Sequence, residues 1–130
     1  MGKRPRVVIA DDERSSRVYM KSLLESMNCE VVGEAGDGVE AVHLYKTLKP
    51  HLIILDLNMP RKKGDQALEE ILADFPDAFI IIVSAITDST LVSKCLSMGA
   101  ANYIRKDTPV LEIKSIIKDT WNERVSKMDQ

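Results

Sequence analysis

Leu52-Ile53-Ile54-Leu55-Asp56-Leu57-Asn58-Met59-Pro60 sets four consecutive apolar residues directly before a carboxylate, and Pro60 closes the stretch. A short unbroken apolar run suits a strand covered on both faces, as at the centre of a parallel sheet. Val7-Val8-Ile9-Ala10 repeats the pattern and also ends in carboxylates, Asp11 and Asp12. Phe79–Val83 leads into Ser84, and Ala101–Ile104 stands just ahead of Lys106. Val31–Gly33, flanked by Glu30 and Glu34, completes a set of five runs. The second and fifth carry polar neighbours or members, Asn102 and Tyr103 among them, and are expected at the sheet edges.

Between the runs the apolar period becomes helical. Met20, Leu23, Leu24 and Met27 form one stripe; Ala41, Leu44, Tyr45 and Leu48 form another; Leu68, Ile71, Leu72 and Phe75 form a third. Each can pack on a sheet face. A fourth helix around Leu91, Val92, Cys95 and Leu96 is shorter and less regular. Ile113, Ile117 and Trp121 share a face of a fifth, for which Thr108 is the expected cap and Pro109 the expected first-turn residue. Gly33, Gly36 and Gly38 surround the second strand-to-helix passage, Lys49-Pro50 precedes the third strand, and Gly99 ends the fourth helix. Strand and helix alternating with short connections means a parallel α/β sheet with right-handed crossovers and helices on both faces. In such a sheet the ligand site lies beyond the carboxyl ends of the strands. Asp11, Asp12, Asp56, Ser84 and Lys106 therefore gather at one rim.

The chain has 130 residues, the scale of one domain with a proper core, and its formal charge of −2 gives no reason to expect a nucleic-acid or membrane surface. One domain over residues 1–130, with its core at 5–125, is expected. Lys3-Arg4-Pro5-Arg6 and Arg61-Lys62-Lys63 read as solvated basic clusters. Cys29 and Cys95 fit no metal or redox spacing and read as reduced, partly buried thiols. No apolar signal core or membrane-length stretch is present, so a cytoplasmic location is expected. His43 lies off its helix's stripe and His51 beside Pro50, both as surface residues.

Carboxylates about 4 Å apart repel by roughly 4 kcal/mol per pair at an effective dielectric of 20. A cluster of three persists only if protons or a cation offset it. Oxygen ligands favour a hard ion, Mg²⁺ above all where phosphate is handled. A carboxylate nucleophile (Asp56), Mg²⁺, an ammonium (Lys106) and a hydroxyl (Ser84) meet the needs of phosphoryl transfer. Taken singly, Asp12 reads as a helix cap, Ser84 as a turn hydroxyl, Lys106 as a solvated charge and Tyr103 as an edge-strand aromatic.

Asp11-Asp12, the stretch Asp56-Leu57-Asn58-Met59-Pro60 with Gly64 beyond it, Ser84-Ala85, and Gly99 to Lys106 follow one another at successive strand ends over nearly the whole chain. In this the sequence resembles response-regulator receiver domains of two-component signalling, the chemotaxis regulators among them. The resemblance implies a flavodoxin-like, doubly wound five-stranded sheet of order 2-1-3-4-5. It implies Asp56 as phosphoacceptor from a sensor histidine kinase or phosphotransfer protein. Mg²⁺ would be held by Asp12, Asp56 and the Asn58 backbone carbonyl, with Asp11 acting through a water or from the second shell. Lys106 and Ser84 would contact phosphoryl oxygens, and Tyr103 would change rotamer with the loop after Ser84. It further implies a downstream partner or homodimer on the face formed by the fourth helix, fifth strand and fifth helix. No direct nucleic-acid or membrane binding is implied, nor any enzymatic activity beyond the domain's own phosphorylation and dephosphorylation.

One departure stands out. Many receivers carry proline after the lysine, in a cis bond; here Asp107 follows Lys106. A cis bond at a non-proline residue costs about 2.5–4 kcal/mol, so a trans bond is expected. Lys106-Asp107-Thr108-Pro109 and residues 31–38 resemble receivers attached to LuxR-type DNA-binding domains. Two other classes compete. A Mg²⁺-dependent aspartyl-phosphate phosphohydrolase usually needs a second aspartate two residues after its nucleophile, where Asn58 stands. A flavodoxin-like binding protein without chemistry leaves the acidic cluster unexplained.

Overall fold

The computed structural model describes residues 4–128; Lys3 of the N-terminal basic cluster lies outside them. Strands β1 (Arg6–Ala10), β2 (Glu30–Ala35), β3 (Leu52–Leu55), β4 (Ile80–Ser84) and β5 (Asn102–Arg105) alternate with helices α1 (Arg14–Ser26), α2 (Gly38–Leu48), α3 (Gly64–Asp74), α4 (Ser89–Met98) and α5 (Val110–Met128). The strands form one parallel sheet in the order β2-β1-β3-β4-β5. β3 and β4 are buried along their whole length, whereas β2 and β5 carry partly or fully exposed residues, as edges do.

Successive side chains of a strand point to opposite faces, which divides the core in two. Val8, Ala10, Ile53, Leu55, Ile80 and Ile82 pack with Ala41 and Tyr45 of α2, Leu68 and Ile71 of α3 and Cys95 of α4. Val7, Ile9, Leu52, Ile54, Ile81, Val83 and Ile104 pack with Met20, Leu23 and Leu24 of α1 and Ile113 and Ile117 of α5. Both cysteines are free and buried, and burial pushes both thiols above their ordinary range.

Strand extents differ from the apolar runs by one or two residues. β2 reaches from Glu30 to Ala35 because both ends pair with β1, at Arg6 and Ala10. Pairing with a neighbour, not side-chain apolarity, sets where a strand stops. Leu96 is exposed although it continues the α4 stripe, because α4 packs against α3 and the edge strand β5 and buries only Cys95 completely. Helix α5 begins one residue later than expected: the Ile113 N–H bonds the Pro109 carbonyl, so Pro109 stands ahead of the first helical residue, in the place expected for a cap. Gly99 does close α4, with φ of 128°. The Arg61–Lys63 segment is not simply solvated. Arg61 pairs with Asp37 at 3.1 Å and Lys62 with Glu70, tying the β3–α3 loop to its neighbours. His43 and His51 are exposed, and the His51 Nδ1 accepts the Arg6 N–H at 2.9 Å. No helix among the described residues is long and apolar enough to cross a membrane.

Ile81 is fully buried beneath α1 and α5. Ile81→Ala is expected to lower unfolding free energy by about 2–5 kcal/mol. Leu111→Ala, at a residue 76% exposed, should stay within about 0.5 kcal/mol of wild type. Denaturant midpoints for the two variants check the contrast.

Candidate functional site

The rim at the carboxyl ends of the strands is assembled by register and parity. Ala10 pairs with Leu55, so Asp11 and Asp56 are the next residues on adjacent strands, and the Asp56 N–H extends the ladder to the Ala10 carbonyl at 2.9 Å. Asp11 stands two residues after Ile9, Asp56 two after Ile54, and Lys106 two after Ile104, all three being core residues on the α1/α5 side. A two-residue step keeps the same face. The three charged groups thus leave the sheet in one direction and meet.

Asp56 is 3% exposed and Asp11 6%, while Asp12 is open to solvent. One carboxylate oxygen from each of the three lies within 4.8 Å of the others. The Lys106 Nζ is seated between Asp11 Oδ2 at 2.9 Å and Asp56 Oδ2 at 3.0 Å. Glu13 Oε1 and Ser16 Oγ lie at 3.5 Å from the same nitrogen. Burial alone pulls this ammonium down, but the hydrogen bonds and negative charges of Asp11 and Asp56 outweigh it and hold it well above the ordinary lysine range. The remaining Asp56 oxygen, Oδ1, accepts the Asn58 N–H at 3.3 Å, and Asp11 Oδ1 accepts the Glu13 N–H at 2.9 Å.

Asp12 is not used as a helix cap: α1 starts after Glu13, with no side-chain capping bond. Its carboxylate remains at the rim with those of Asp11 and Asp56, all hard oxygen donors. Partial burial, mutual repulsion and one solvent-facing member fit an ion such as Mg²⁺, which retains several waters and takes only a few protein carboxylates.

The Lys106–Asp107 bond is trans, as are all peptide bonds among the described residues. Asp107 turns outward and pairs with Arg105 through both guanidinium contacts, at 3.0 and 2.8 Å. The reach of Lys106 is set instead by β5, since Ser84 pairs with Arg105 and the Lys106 N–H bonds the Ser84 carbonyl at 3.0 Å.

Ser84 and Tyr103 occupy the other face. Ser84 is fully buried and follows Ile82 by two residues, while the Tyr103 ring packs against the α2–α4 side of the core. The loop residue Ile86 links them: its N–H bonds Ser84 Oγ at 3.3 Å, and its carbonyl accepts the Tyr103 hydroxyl. Burial, ahead of the surrounding charges, raises the Tyr103 phenol above its ordinary range.

Two participants, Ile86 and Arg17, escape a reading of sequence alone, and so does the packing reason for the Gly64 that the sequence places beyond Pro60. Ile86 contributes only backbone atoms, which no side-chain type announces. Gly64 packs so closely that a Cβ there would overlap the Asp56 carbonyl oxygen. Arg17 donates from Nη1 to the Asp11 carbonyl at 2.7 Å. The i, i+2 step from a core isoleucine was the available signal for the charged trio, and it required knowing which face each strand residue takes.

A family model described as the response regulator receiver domain matches residues 7–118. The chain is 39% identical to Protein CcdB of Bacillus subtilis over 113 residues, covering 85% of this chain and 94% of that protein. It is 40% identical to the chemotaxis protein CheY of Thermotoga maritima over 106 residues, covering 82% and 87%. Among solved structures, a chain of the CheX–CheY–BeF3–Mg²⁺ complex from Borrelia burgdorferi superposes with a TM-score of 0.80 at 27% identity, covering 96% of this chain and 89% of that one.

The Lys106 pairing gives a testable pH signature. Because its value is raised above the ordinary 10.5, the stability it contributes is fully present below that pH and is lost as pH climbs through the higher folded value. In metal-free protein, the Lys106 side-chain NMR signals should titrate above the ordinary lysine value of 10.5. Titration at or below that ordinary value would disprove the pairing.

Proposed function

The chain belongs to the response-regulator receiver domain family, and from that premise we propose that it is a phosphorylation-controlled switch with Asp56 as its phosphoacceptor. The observation that carries this reading is the Lys106 ammonium seated between buried Asp11 and Asp56, beside the solvent-facing Asp12. Receiver domains interact with histidine kinases and phosphotransfer proteins. The donor here is a phosphohistidine on such a partner. A carboxylate oxygen of Asp56 forms the new P–O bond as the P–N bond breaks, and the departing imidazole nitrogen takes up a proton.

Asp12, Asp56 and the Asn58 carbonyl would hold Mg²⁺, with Asp11 behind them. The BeF3 and Mg²⁺ of the Borrelia burgdorferi complex support that choice of ion. When bound, the ion offsets the carboxylate repulsion and the charge on the phosphoryl oxygens. The protein's own groups do the orienting. The Asn58 N–H fixes one Asp56 oxygen, and Lys106, already at the other, is within reach of a phosphoryl oxygen. Ser84 Oγ accepts the Ile86 N–H and keeps its own proton to donate to a second phosphoryl oxygen. Asn58 argues against a phosphohydrolase, since an amide cannot trade protons as an acid or base. The domain's reaction is on itself.

Signal follows from the Ser84–Ile86–Tyr103 link. Drawing the Ser84 hydroxyl toward a phosphoryl group disturbs its bond from Ile86, whose carbonyl holds Tyr103. The balance between loop arrangements then shifts by the difference in their affinity for the phosphoryl group. The α4–β5–α5 face reads this out to a downstream protein, an output domain or a second copy. Residues 5–125 act as one receiver unit in the cytoplasm.

Two measurements test the reading. A small phosphodonor with Mg²⁺ should add one phosphoryl group to the intact mass, and Asp56→Asn should abolish it; labelling of that variant at the wild-type level refutes the assignment. Calorimetry should give a Mg²⁺ affinity at least tenfold weaker in Asp12→Ala, on the order of a lost ligand or more. Equal affinities would rule out Asp12 as a ligand.

A further inference from the structure

The three residues between β1 and α1, Asp11 to Glu13, belong to neither ladder nor helix, yet they carry two of the three clustered carboxylates. Something must hold them against their own repulsion. The Asp11 N–H bonds the Ala35 carbonyl of β2 at 2.9 Å. The Asp11 carbonyl receives Arg17 Nη1 at 2.7 Å. That guanidinium is itself held through Nε by Glu34 Oε1 at 3.3 Å, and Lys21 approaches the other Glu34 oxygen at 4.0 Å.

The Asp11 carbonyl is half of the planar peptide unit that joins Asp11 to Asp12. Fixing its oxygen fixes the direction in which the Asp12 Cα leaves. We propose that Arg17, braced by Glu34, is a positioning residue that sets the Asp11–Asp12 peptide and thereby places the Asp12 carboxylate for cation binding. Arginine suits the task because its planar fork offers separate nitrogens to a carbonyl and a carboxylate at once; a lysine ammonium is a single point donor. The arrangement draws on three elements, α1, β1 and β2, and the brace on β2 sits beside the Ala10–Ala35 pairing that ends the strand. This inference rests on the reading of the rim as a Mg²⁺ site.

The sign of the effect separates positioning from simple charge. A cation next to an acidic site disfavours a second cation, so if Arg17 acted only through its charge, removing it would tighten Mg²⁺ binding. Positioning predicts the reverse. Arg17→Gln should weaken Mg²⁺ affinity about tenfold, as loss of a group that orients a metal ligand typically does. Arg17→Lys should weaken it too, although charge is retained. Glu34→Gln, on an exposed edge-strand side chain, should give a smaller loss in the same direction, and the double variant should be no worse than Arg17→Gln alone because both act along one path.

The test is Mg²⁺ titration of each full-length variant by calorimetry, alongside circular dichroism and thermal unfolding, and amide NMR of the metal-free proteins. Support consists of weaker binding by folded variants, with metal-free Asp12 and Glu13 amides displaced from their wild-type positions. Unchanged or tighter Mg²⁺ binding in Arg17→Gln overturns the proposal. If Arg17→Gln fails to fold, Glu34→Gln decides by the same criteria. If wild type and Asp12→Ala bind Mg²⁺ alike, the metal reading has failed separately. The metal-free amides then decide: wild-type positions in both variants overturn the positioning role, and displaced ones retain it.

Discussion

Repulsion among Asp11, Asp12 and Asp56 is the constraint around which the rest of the molecule is arranged. With one carboxylate oxygen of each within 4.8 Å of the others, each ionised pair stands roughly 3–4 kcal/mol uphill at an effective dielectric of 20. The fold accepts this because Lys106 arrives from the next-but-one strand and places one positive charge between the two buried members. The backbone leaves the carboxylates little room to separate. Asp11 and Asp56 are tied by main-chain hydrogen bonds to Ala35 and Ala10, and Gly64 lies flush against the Asp56 carbonyl.

The sheet also separates two tasks. Charged groups lie on the α1/α5 side, while Ser84 and Tyr103 lie on the side covered by α2, α3 and α4. The β4–α4 loop joins the last two: Ile86 contacts Ser84 with one backbone group and Tyr103 with the other.

Asp107 illustrates how one local substitution is absorbed. Where the resemblance led to expecting proline, this chain keeps a trans bond and turns the side chain of Asp107 to Arg105. Lys106 still reaches both carboxylates because its position is inherited from the β4–β5 register.

Much of the architecture was legible in the amino-acid order. Buried runs such as Leu52–Leu55 and Val7–Ala10 announce central strands because both faces of a parallel sheet exclude water, and the polar neighbours of the second and fifth runs mark edges for the opposite reason. Carboxylates, a hydroxyl and a lysine at strand ends could be assigned to one rim, since parallel strands all end on the same side. The order 2-1-3-4-5 was implied only by resemblance. The extents of β2 and β5 and the exposure of Leu96 depended on partners distant in sequence, and the start of α5 on which carbonyl the first helical turn engages. The same holds for the finer chemistry. That Asp12 is free of capping duty, that Lys106 sits between Asp11 and Asp56, and that Arg17 is braced by Glu34 are matters of distance between atoms on different elements. Side-chain type and local period determine what an element is and which way it faces; only the packed sheet, with its register and its backbone carbonyls in place, decides which charges meet.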